Sequence, residues 1–296
     1  MKTNLLLLLA LSLAVAAQAT DRPKITGIDH VDFYTTSPEA NSRFYMQTLG
    51  LASGEPLEMG QTQRFLVGRQ FVGYSPAPDP QKKDRMDHAA FSTDNCAALR
   101  TYLAAKGIKV PDSLSHPKDG SVSFLDNDPE GHKIEFVERT SGNIGLAGDP
   151  VSHHMIHAGI IVHDRGAEDH FYRDILGFHL YWQGGMKAGK NDWVAMQVPD
   201  GTDWVEYMLN IEPNADQHTM GVMNHISLGV KDIKQAQAKL ESRGWKPHDE
   251  EKAQMGRDGK WQLNVYDPDF TRIELMEFKP AEKPCCSEFK GKHPSD

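Results

Sequence analysis

Two histidines and a glutamate occupy matching places in the two halves of this chain. In the second half they are His157, His225 and Glu274; in the first they are His30, His88 and Glu135. Two imidazoles and one carboxylate form the donor set of a mononuclear site with open positions, suited to non-haem iron and also to zinc, manganese, cobalt or nickel. Glu206, in Trp204-Val205-Glu206-Tyr207-Met208-Leu209, is a fourth candidate ligand in the second half. Four ligands leave about two positions of an octahedral ion for water or substrate, which favours Lewis-acid and proton-transfer chemistry with Glu206 or Glu274 as the catalytic carboxylate. Three ligands leave about three positions, enough for oxygen together with a chelating substrate. Where the first half would carry its equivalent of Glu206 it has Gly73, so only a triad is expected there. One divalent ion is expected, in the second half by preference, and two per chain if both halves bind. A histidine on an apolar strand is usually just a core residue with a hydrogen bond. The repetition argues otherwise, and so does the cost of burying an unpaired glutamate.

The elements that must position these groups are themselves repeated. Ile28-Asp29-His30-Val31, Met86-Asp87-His88-Ala89, Met155-Ile156-His157-Ala158 and Met223-Asn224-His225-Ile226 each set a histidine in an apolar run, as strands do. A helix is expected after each. Ser37-Pro38-Glu39 opens the first, with Ser37 as N-cap and Pro38 at the first helical position, and it runs through Phe44-Tyr45 to Gly50. The others span Asn95 to Lys106, Arg165 to Leu176 and Asp232 to Arg243, each followed by glycine. Two Asp-Pro turns then lead into strands holding Glu135 and Glu274. The reading is an α+β chain of four βαβββ modules in two pairs, over 24–140 and 152–279, with a linker at 140–150. The offsets are those of a duplication with loop insertions: 127 residues from His30 to His157, 137 from His88 to His225 and 139 from Glu135 to Glu274.

Outside the modules the chain begins with Lys2, an apolar stretch from Leu5 to Val15 broken by Ser12, and Ala17-Gln18-Ala19. That pattern reads as a signal peptide over 1–19 and predicts a secreted or periplasmic protein. No later segment is apolar enough to span a membrane. The formal net charge of −9 argues against nucleic acid and anionic membranes as partners. A small-molecule partner remains, with homodimerisation open. Three cysteines are too few for a disulfide framework. Cys285 and Cys286 are adjacent and would bridge each other only with backbone strain; partner chains, a soft metal or a plain tail feature are the other readings. Residues 280–296 are Pro-, Lys- and polar-rich, and a flexible tail is expected. His116 lies on a loop upstream of Glu135 and is a candidate acid or base for the first half. His153, His154, His163, His170, His179, His218 and His248 fit no pattern and read as surface residues.

With these words in order, the chain resembles the vicinal oxygen chelate superfamily. The resemblance rests on Asp29-His30-Val31, on Phe44-Tyr45 with Leu49-Gly50-Leu51, on Phe171-Tyr172 with Leu176-Gly177-Phe178, and on the two Asp-Pro…Ile-Glu strands. It covers nearly all of residues 25–278. It implies paired βαβββ units with a metal in their open groove, held by His157, His225 and Glu274 with Glu206 in the fourth place. The glyoxalase I and epimerase branch is similar in using four such ligands. The extradiol dioxygenase branch is similar in its four-module layout, but it expects a second-sphere histidine where this chain has Glu206. It also expects a tyrosine near the metal, for which Tyr266 is placed in a turn. Superfamily membership leaves the reaction open. Glutathione and coenzyme A thioesters belong to the cytosol and suit an exported protein poorly. Three functions follow as expectations: a metal-dependent lyase or isomerase, slightly preferred; an Fe(II) ring-cleaving dioxygenase; and a metal-free binder whose groove is lined by Trp182, Trp193, Trp204 and Tyr207. For those four aromatics a core position is the favoured reading.

Overall fold

The structure, a computed structural model, describes residues 21–56, 63–139, 148–187, 189–247 and 252–296. The expected leader at 1–19, most of the expected linker, and His248 lie outside them. The first half contributes β1 (Ile25–Thr35), α1 (Pro38–Arg43), β2 (Ala52–Gly54), β3 (Gln63–Val67), β4 (Gln70–Pro76), β5 (Met86–Thr93), α2 (Cys96–Ala105), β6 (Val122–Asn127) and β7 (Lys133–Glu138). Its strands form one sheet in the order β2-β3-β4-β1-β5-β7-β6. The second half contributes β8 (Met155–Ile161), α3 (Arg165–Glu168), β9 (His179–Gly184), β10 (Trp193–Gln197), β11 (Trp204–Met208), α4 (Gln217–Met223), β12 (His225–Val230), α5 (Ile233–Ser242), β13 (Gln254–Met255), β14 (Trp261–Tyr266) and β15 (Arg272–Glu277). Its sheet runs β13-β14-β15-β12-β8-β11-β10-β9.

The histidine strands sit at the centre of each sheet. β1 pairs antiparallel with β5, and β8 pairs antiparallel with β12, so each sheet joins two modules back to back. On the outer sides β1 is parallel to β4, β5 to β7, β8 to β11 and β12 to β15. All seven residues of β8 and all six of β12 are buried. This explains their continuous apolar character, since a strand covered on both faces need not alternate.

Several elements depart from expectation. The second strand of the second module is reduced to a bridge between Ser115 and Ser123, in a segment that contains Pro111 and Pro117. Proline has no N–H to give a ladder. The first helix of each half turns π-helical after its opening turn, over Phe44–Thr48 and Asp169–Ile175, with Leu49 N bonded to Phe44 O and Leu176 N to Phe171 O. Gly50 and Gly177 then take left-handed φ values of 73° and 81°, which stop the helices as expected. The Ser37 side chain makes no cap bond. Thr35 Oγ1 does the local work instead, accepting from Ser37 N and from Asn41 Nδ2. Helix α4 was not anticipated; Asp216 caps it by accepting from Thr219 N at 2.7 Å.

One apolar core runs through both halves, with the Phe91 and Phe178 rings edge to face at 5.5 Å. Polar ties reinforce it: Gln70 exchanges two bonds with the Met155 backbone, and Asp203 accepts from Ile28 N. The tail expected to hang free lies against the second sheet. Lys290 N donates to Tyr181 O, Gln183 N to Ser287 Oγ, and Trp182 Nε1 to Cys285 O. Composition misled here because β9 is an edge strand, whose open backbone groups accept a polar segment as readily as an apolar one. Cys285 and Cys286 are paired with each other, and Cys286 takes a left-handed φ of 75°. Cys96 is buried and free.

Candidate metal centres

Strand register decides which side chains meet. In the second half, Ser227 of β12 stands across from both His157 and Glu274, while His225 stands across from Gly159. Gly159 is in turn paired with Glu206 of β11. Side chains two apart on a strand share a face, so the four groups converge. His157 Nε2 and His225 Nε2 lie 3.1 Å apart. Glu274 Oε2 is 3.3 Å from His157 Nε2, and Glu206 Oε2 is 3.7 Å from each imidazole. Helix α4 ends where Met223 O accepts from His225 Nδ1 at 2.8 Å, which leaves Nε2 with its lone pair turned inward.

This donor set fits a divalent cation. Glu274 Oε2 and His157 Nδ1 are buried with no hydrogen-bond partner. Burial, followed by the Arg272 charge, holds both imidazoles well below their usual range, so they are neutral ligands. Burial and then the charge of Glu274 push the Glu206 carboxyl up to about 8, and Glu274 itself is raised by burial. Two carboxyls crowded out of water in this way are relieved by a shared cation. One group competes: Arg272 Nη2 sits 2.6 Å from His225 Nε2. Sequence reasoning missed Arg272, although its place two residues before Glu274 in the same strand puts it on the same face.

The second-half centre opens into a cavity of about 360 Å³. Trp182, Trp193 and Trp204 line it together with Glu206, Arg272 and Glu274, so these three tryptophans are wall as well as core. Tyr207 is on the other face of β11, its ring 6.0 Å from that of Tyr172. Phe289 of the tail closes part of the cavity. Lys260 is fully buried behind it, with Nζ 3.2 Å from Tyr181 Oη and 4.8 Å from the Trp204 ring centre; burial pushes its ammonium down to about 8. Tyr266 ends β14 rather than lying in a turn, and its ring is 6.2 Å from that of His218.

The first half repeats the convergence. His30 Nε2 and His88 Nε2 are 3.1 Å apart, and Glu135 Oε2 is 3.1 Å from one and 3.3 Å from the other. Each imidazole is held from behind by a carboxylate. His30 Nδ1 meets Asp29 at 2.7 Å, and Asp29 is gripped twice by Arg139; His88 Nδ1 meets Asp87 at 3.0 Å, and Asp87 is gripped by Lys133 and Tyr34. A carboxylate behind a histidine fixes its tautomer and makes it a better ligand. Burial opposes the charge on both rings, but Asp29 and Glu135 raise His30 to about 9, and Asp87 and Glu135 raise His88 to about 10. Burial likewise opposes ionisation of Glu135, and hydrogen bonds from the two histidines hold it well below the usual carboxylate range. A further carboxylate lies beside the two imidazoles, in a group with them that does not include Glu135. Asp32, two residues beyond His30, also faces the group, and its ligand atom falls within 4.8 Å of those of His30 and His88. The i, i+2 spacing was the available sign. His116 is exposed on its loop and, among the described residues, makes no hydrogen bond or ion pair to this centre.

Asp128, His132 and Glu168 form a third group where the second module meets α3. His132 Nδ1 is 2.7 Å from Asp128 Oδ2, and Glu168 is fully buried with Oε2 unpartnered. Burial, then Asp128, raises the Glu168 carboxyl to about 8. Among the histidines read as surface groups, His163 and His170 are exposed, but His154 is half-buried and paired with Asp203 at 2.7 Å.

Sequence and fold comparisons identify the family. The model of the Glyoxalase/Bleomycin resistance protein/Dioxygenase superfamily matches residues 27–136 and 154–275. The chain belongs to that superfamily. No curated protein matches it. Among solved structures, the 2,3-dioxygenase LapB from Pseudomonas sp. KL28 aligns with a TM-score of 0.65 at 15% identity, over 92% of this chain and 95% of its own. A variant of homoprotocatechuate 2,3-dioxygenase from B. fuscum gives 0.64 at 17%, over 86% and 72%. The Mn(II)-bound glyoxalase from Novosphingobium aromaticivorans gives 0.64 at 17%, over 86% and 83%. At these identities the likeness is one of fold. Among the described residues no helix is long and apolar enough to cross a membrane.

Proposed function

We propose that this is an exported, metal-dependent enzyme that acts on a small oxygen-rich molecule by proton transfer, in the manner of a lyase or isomerase, at the second-half centre. The observation that carries the reading is the place of Glu206. It reaches 3.7 Å from both imidazoles, more loosely than Glu274 at 3.3 Å, and it lies on the cavity wall. A divalent ion held by His157, His225, Glu274 and Glu206 supplies Lewis-acid polarisation of a substrate oxygen when bound. Glu206 then moves a proton at the neighbouring substrate carbon, with Glu274 as the fixed carboxylate behind it. Arg272, on the cavity wall, places positive charge beside the oxyanion that forms, and the buried Lys260 adds to the field from behind the wall. The three tryptophans exclude water and hold the flat or apolar part of the substrate.

The test uses the mature protein loaded with Mn(II) or Fe(II) and a panel of α-hydroxy ketones and catechols. Solvent deuterium entering the carbon beside a carbonyl without oxygen uptake, lost in Glu206→Gln, is the expected result. Catechol cleavage with oxygen uptake would replace this reading with the ring-cleaving one. Ligand binding that persists without metal and in His157→Ala with Glu274→Ala would replace it with a binder.

A further inference from the structure

The two halves meet at two equivalent junctions, and the side chains of one have been exchanged. Asp267-Pro268-Asp269-Phe270-Thr271 turns against the end of β1 and the start of α1, as Asp128-Pro129-Glu130-Gly131-His132 turns against the end of β8 and the start of α3. The backbone of the turn is the same in both. Asp267 N and Asp128 N each donate to the carbonyl four residues on, and the Oδ1 of each aspartate accepts two amide bonds from within its turn. At the first junction the carboxylates have neutral donors. Asp269 accepts from Thr35 Oγ1, Thr36 Oγ1 and Asn41 Nδ2, and Asp267 Oδ2 accepts from Tyr74 Oη at 2.7 Å. At the 127-residue offset of the repeat, Thr35 becomes Val162 and Asn41 becomes Glu168. A hydroxyl and an amide are lost there and a carboxylate is gained. Glu130, longer than Asp269, carries its own carboxylate away to the backbone N–H groups of His163 and Asp164.

We propose that Asp128, His132 and Glu168 bind one first-row divalent cation, of the zinc class, at this junction. A ligand atom from each lies within 4.8 Å of those of the other two. Glu168 is fully buried; its Oε1 accepts from Glu130 N, and its Oε2 has no hydrogen-bond partner. A buried carboxylate beside a second carboxylate is costly unless donors or a cation compensate it. The nearby hydroxyls do not make good the loss. Tyr172 Oη approaches Asp128 Oδ2 only to 3.4 Å, and Tyr207, which stands where Tyr74 serves Asp267, has its Oη buried without a partner. His132 Nδ1 meets Asp128 Oδ2 at 2.7 Å, which sets the imidazole beside both carboxylates. One imidazole with two carboxylates suits zinc and its first-row neighbours, whereas calcium takes about six to eight oxygens. The His132 side chain is partly exposed, which gives the ion a way in from solvent. Asp128 and His132 belong to the first half and Glu168 to the second, so the cation pins the halves together. Its ligand set shares no residue with either histidine-glutamate centre and does not depend on the activity proposed for the second half.

The test is equilibrium dialysis of the full mature chain against buffered free Zn(II), with zinc per chain read by elemental analysis and unfolding followed in urea. Glu168→Gln, which keeps the shape and removes the charge, is expected to hold one ion fewer than the parent. Val162→Thr with Glu168→Asn, which installs the donors of the other junction, is expected to lose the same ion and to stay folded in chelator. Zinc is expected to raise the urea midpoint of the parent more than that of either variant. In His157→Ala with Glu274→Ala, the difference made by Glu168→Gln is expected to be the same as in the parent, which separates this inference from the function proposed for the second-half centre. Equal zinc counts in the parent and either folded variant overturn the proposal, as does a difference that vanishes with His157 and Glu274. Calcium bound as tightly as zinc at the Glu168-dependent site overturns the choice of a first-row ion.

Discussion

Arg272 Nη2 approaches His225 Nε2 to 2.6 Å, on the side of the imidazole that faces His157. The same Nη2 is 2.9 Å from His225 Nδ1, so the guanidinium lies against the imidazole itself, and its charge opposes a divalent ion on that ring. Metal binding is expected to turn Arg272 toward the cavity it already lines, within reach of an anionic substrate oxygen. Arg272→Met is expected to tighten metal binding at the second-half centre by about tenfold, or ~1.4 kcal/mol. The same change is expected to raise KM for an anionic substrate. Competition of the protein with a chromogenic chelator reads the first effect; unchanged or weaker metal binding would show that Arg272 belongs to the holo site as it stands.

Glu206 and Glu274 are both carboxylates at one centre, yet they are not interchangeable. Both line the cavity, but Glu274 is the more buried of the two, between Ser227 and Asn264 on the neighbouring strands, while Glu206 is more open to it. Glu206→Gln is expected to lower turnover by about 10²–10⁴, the usual worth of a positioned proton-transfer group, with a smaller loss of metal. Glu274→Gln is expected to cost the metal first, and activity with it. Metal content and rate measured on the same preparations separate the two.

The fold was legible because histidine, Asp-Pro and glycine stops recur at matching places, and periodicity survives loop insertion. The histidines and glutamates of both centres were legible for the same reason. Asp32 was not, because comparing the halves position by position sets Gly73 against Glu206 and cannot see a donor arriving from the neighbouring strand. Lys260 and the tail were also hidden. Nothing in Asp258-Gly259-Lys260-Trp261 distinguishes a buried lysine from an exposed one, and residues 280–296 owe their place to an open strand edge rather than to their own apolarity.

Removing the tail tests that last point. Phe289 lies 4.8 Å from Tyr181 ring to ring, and Tyr181 Oη meets His293 Nδ1 at 2.6 Å. A chain ending at Lys279 uncovers Tyr181, Trp182 and one wall of the cavity. It is expected to melt about 5 °C lower, equivalent to one or two kcal/mol for a domain of this size. Tryptophan emission should move to the red, and substrate should bind more weakly. Equal melting and emission would mean that the tail contributes nothing to the packed state.

Glu168 gives the pH dependence. Its equivalent at the other junction is Asn41, whose amide donates to Thr35 and Asp269. Burial, then Asp128, raises the Glu168 carboxyl from an ordinary 4.5 to about 8. A raised carboxyl binds its proton more tightly folded than unfolded, so stability falls as pH rises from about 4.5 and levels off beyond about 8. Glu168→Gln removes the group that must ionise. In chelator its advantage over the parent should be near zero at pH 4 and grow to about 2 kcal/mol by pH 8, discounting for relaxation around the site. Urea melts across that range measure it. An advantage that shrinks with rising pH would place the ionised carboxylate in a favourable setting instead.

Gly159→Ala is the sharpest single test of the register. The added methyl would lie 2.1 Å from His225 Cε1 and 2.2 Å from its Nδ1, with the Met223 carbonyl oxygen at 3.0 Å. The methyl has no room beside β8, which is buried along its whole length, so the imidazole has to swing. Swinging it breaks the Nδ1 bond to Met223 and withdraws Nε2 from the centre. The backbone itself is not strained, since Gly159 is an ordinary strand position and is absent from the left-handed glycines. Overpacking of this kind typically costs about 1–3 kcal/mol, which a two-sheet chain survives. The expected result is a folded protein that has lost second-half metal and activity while the first half, 127 residues away in the repeat, is undisturbed. Full metal content in Gly159→Ala would show that His225 is not held over β8 and that the four donors do not meet.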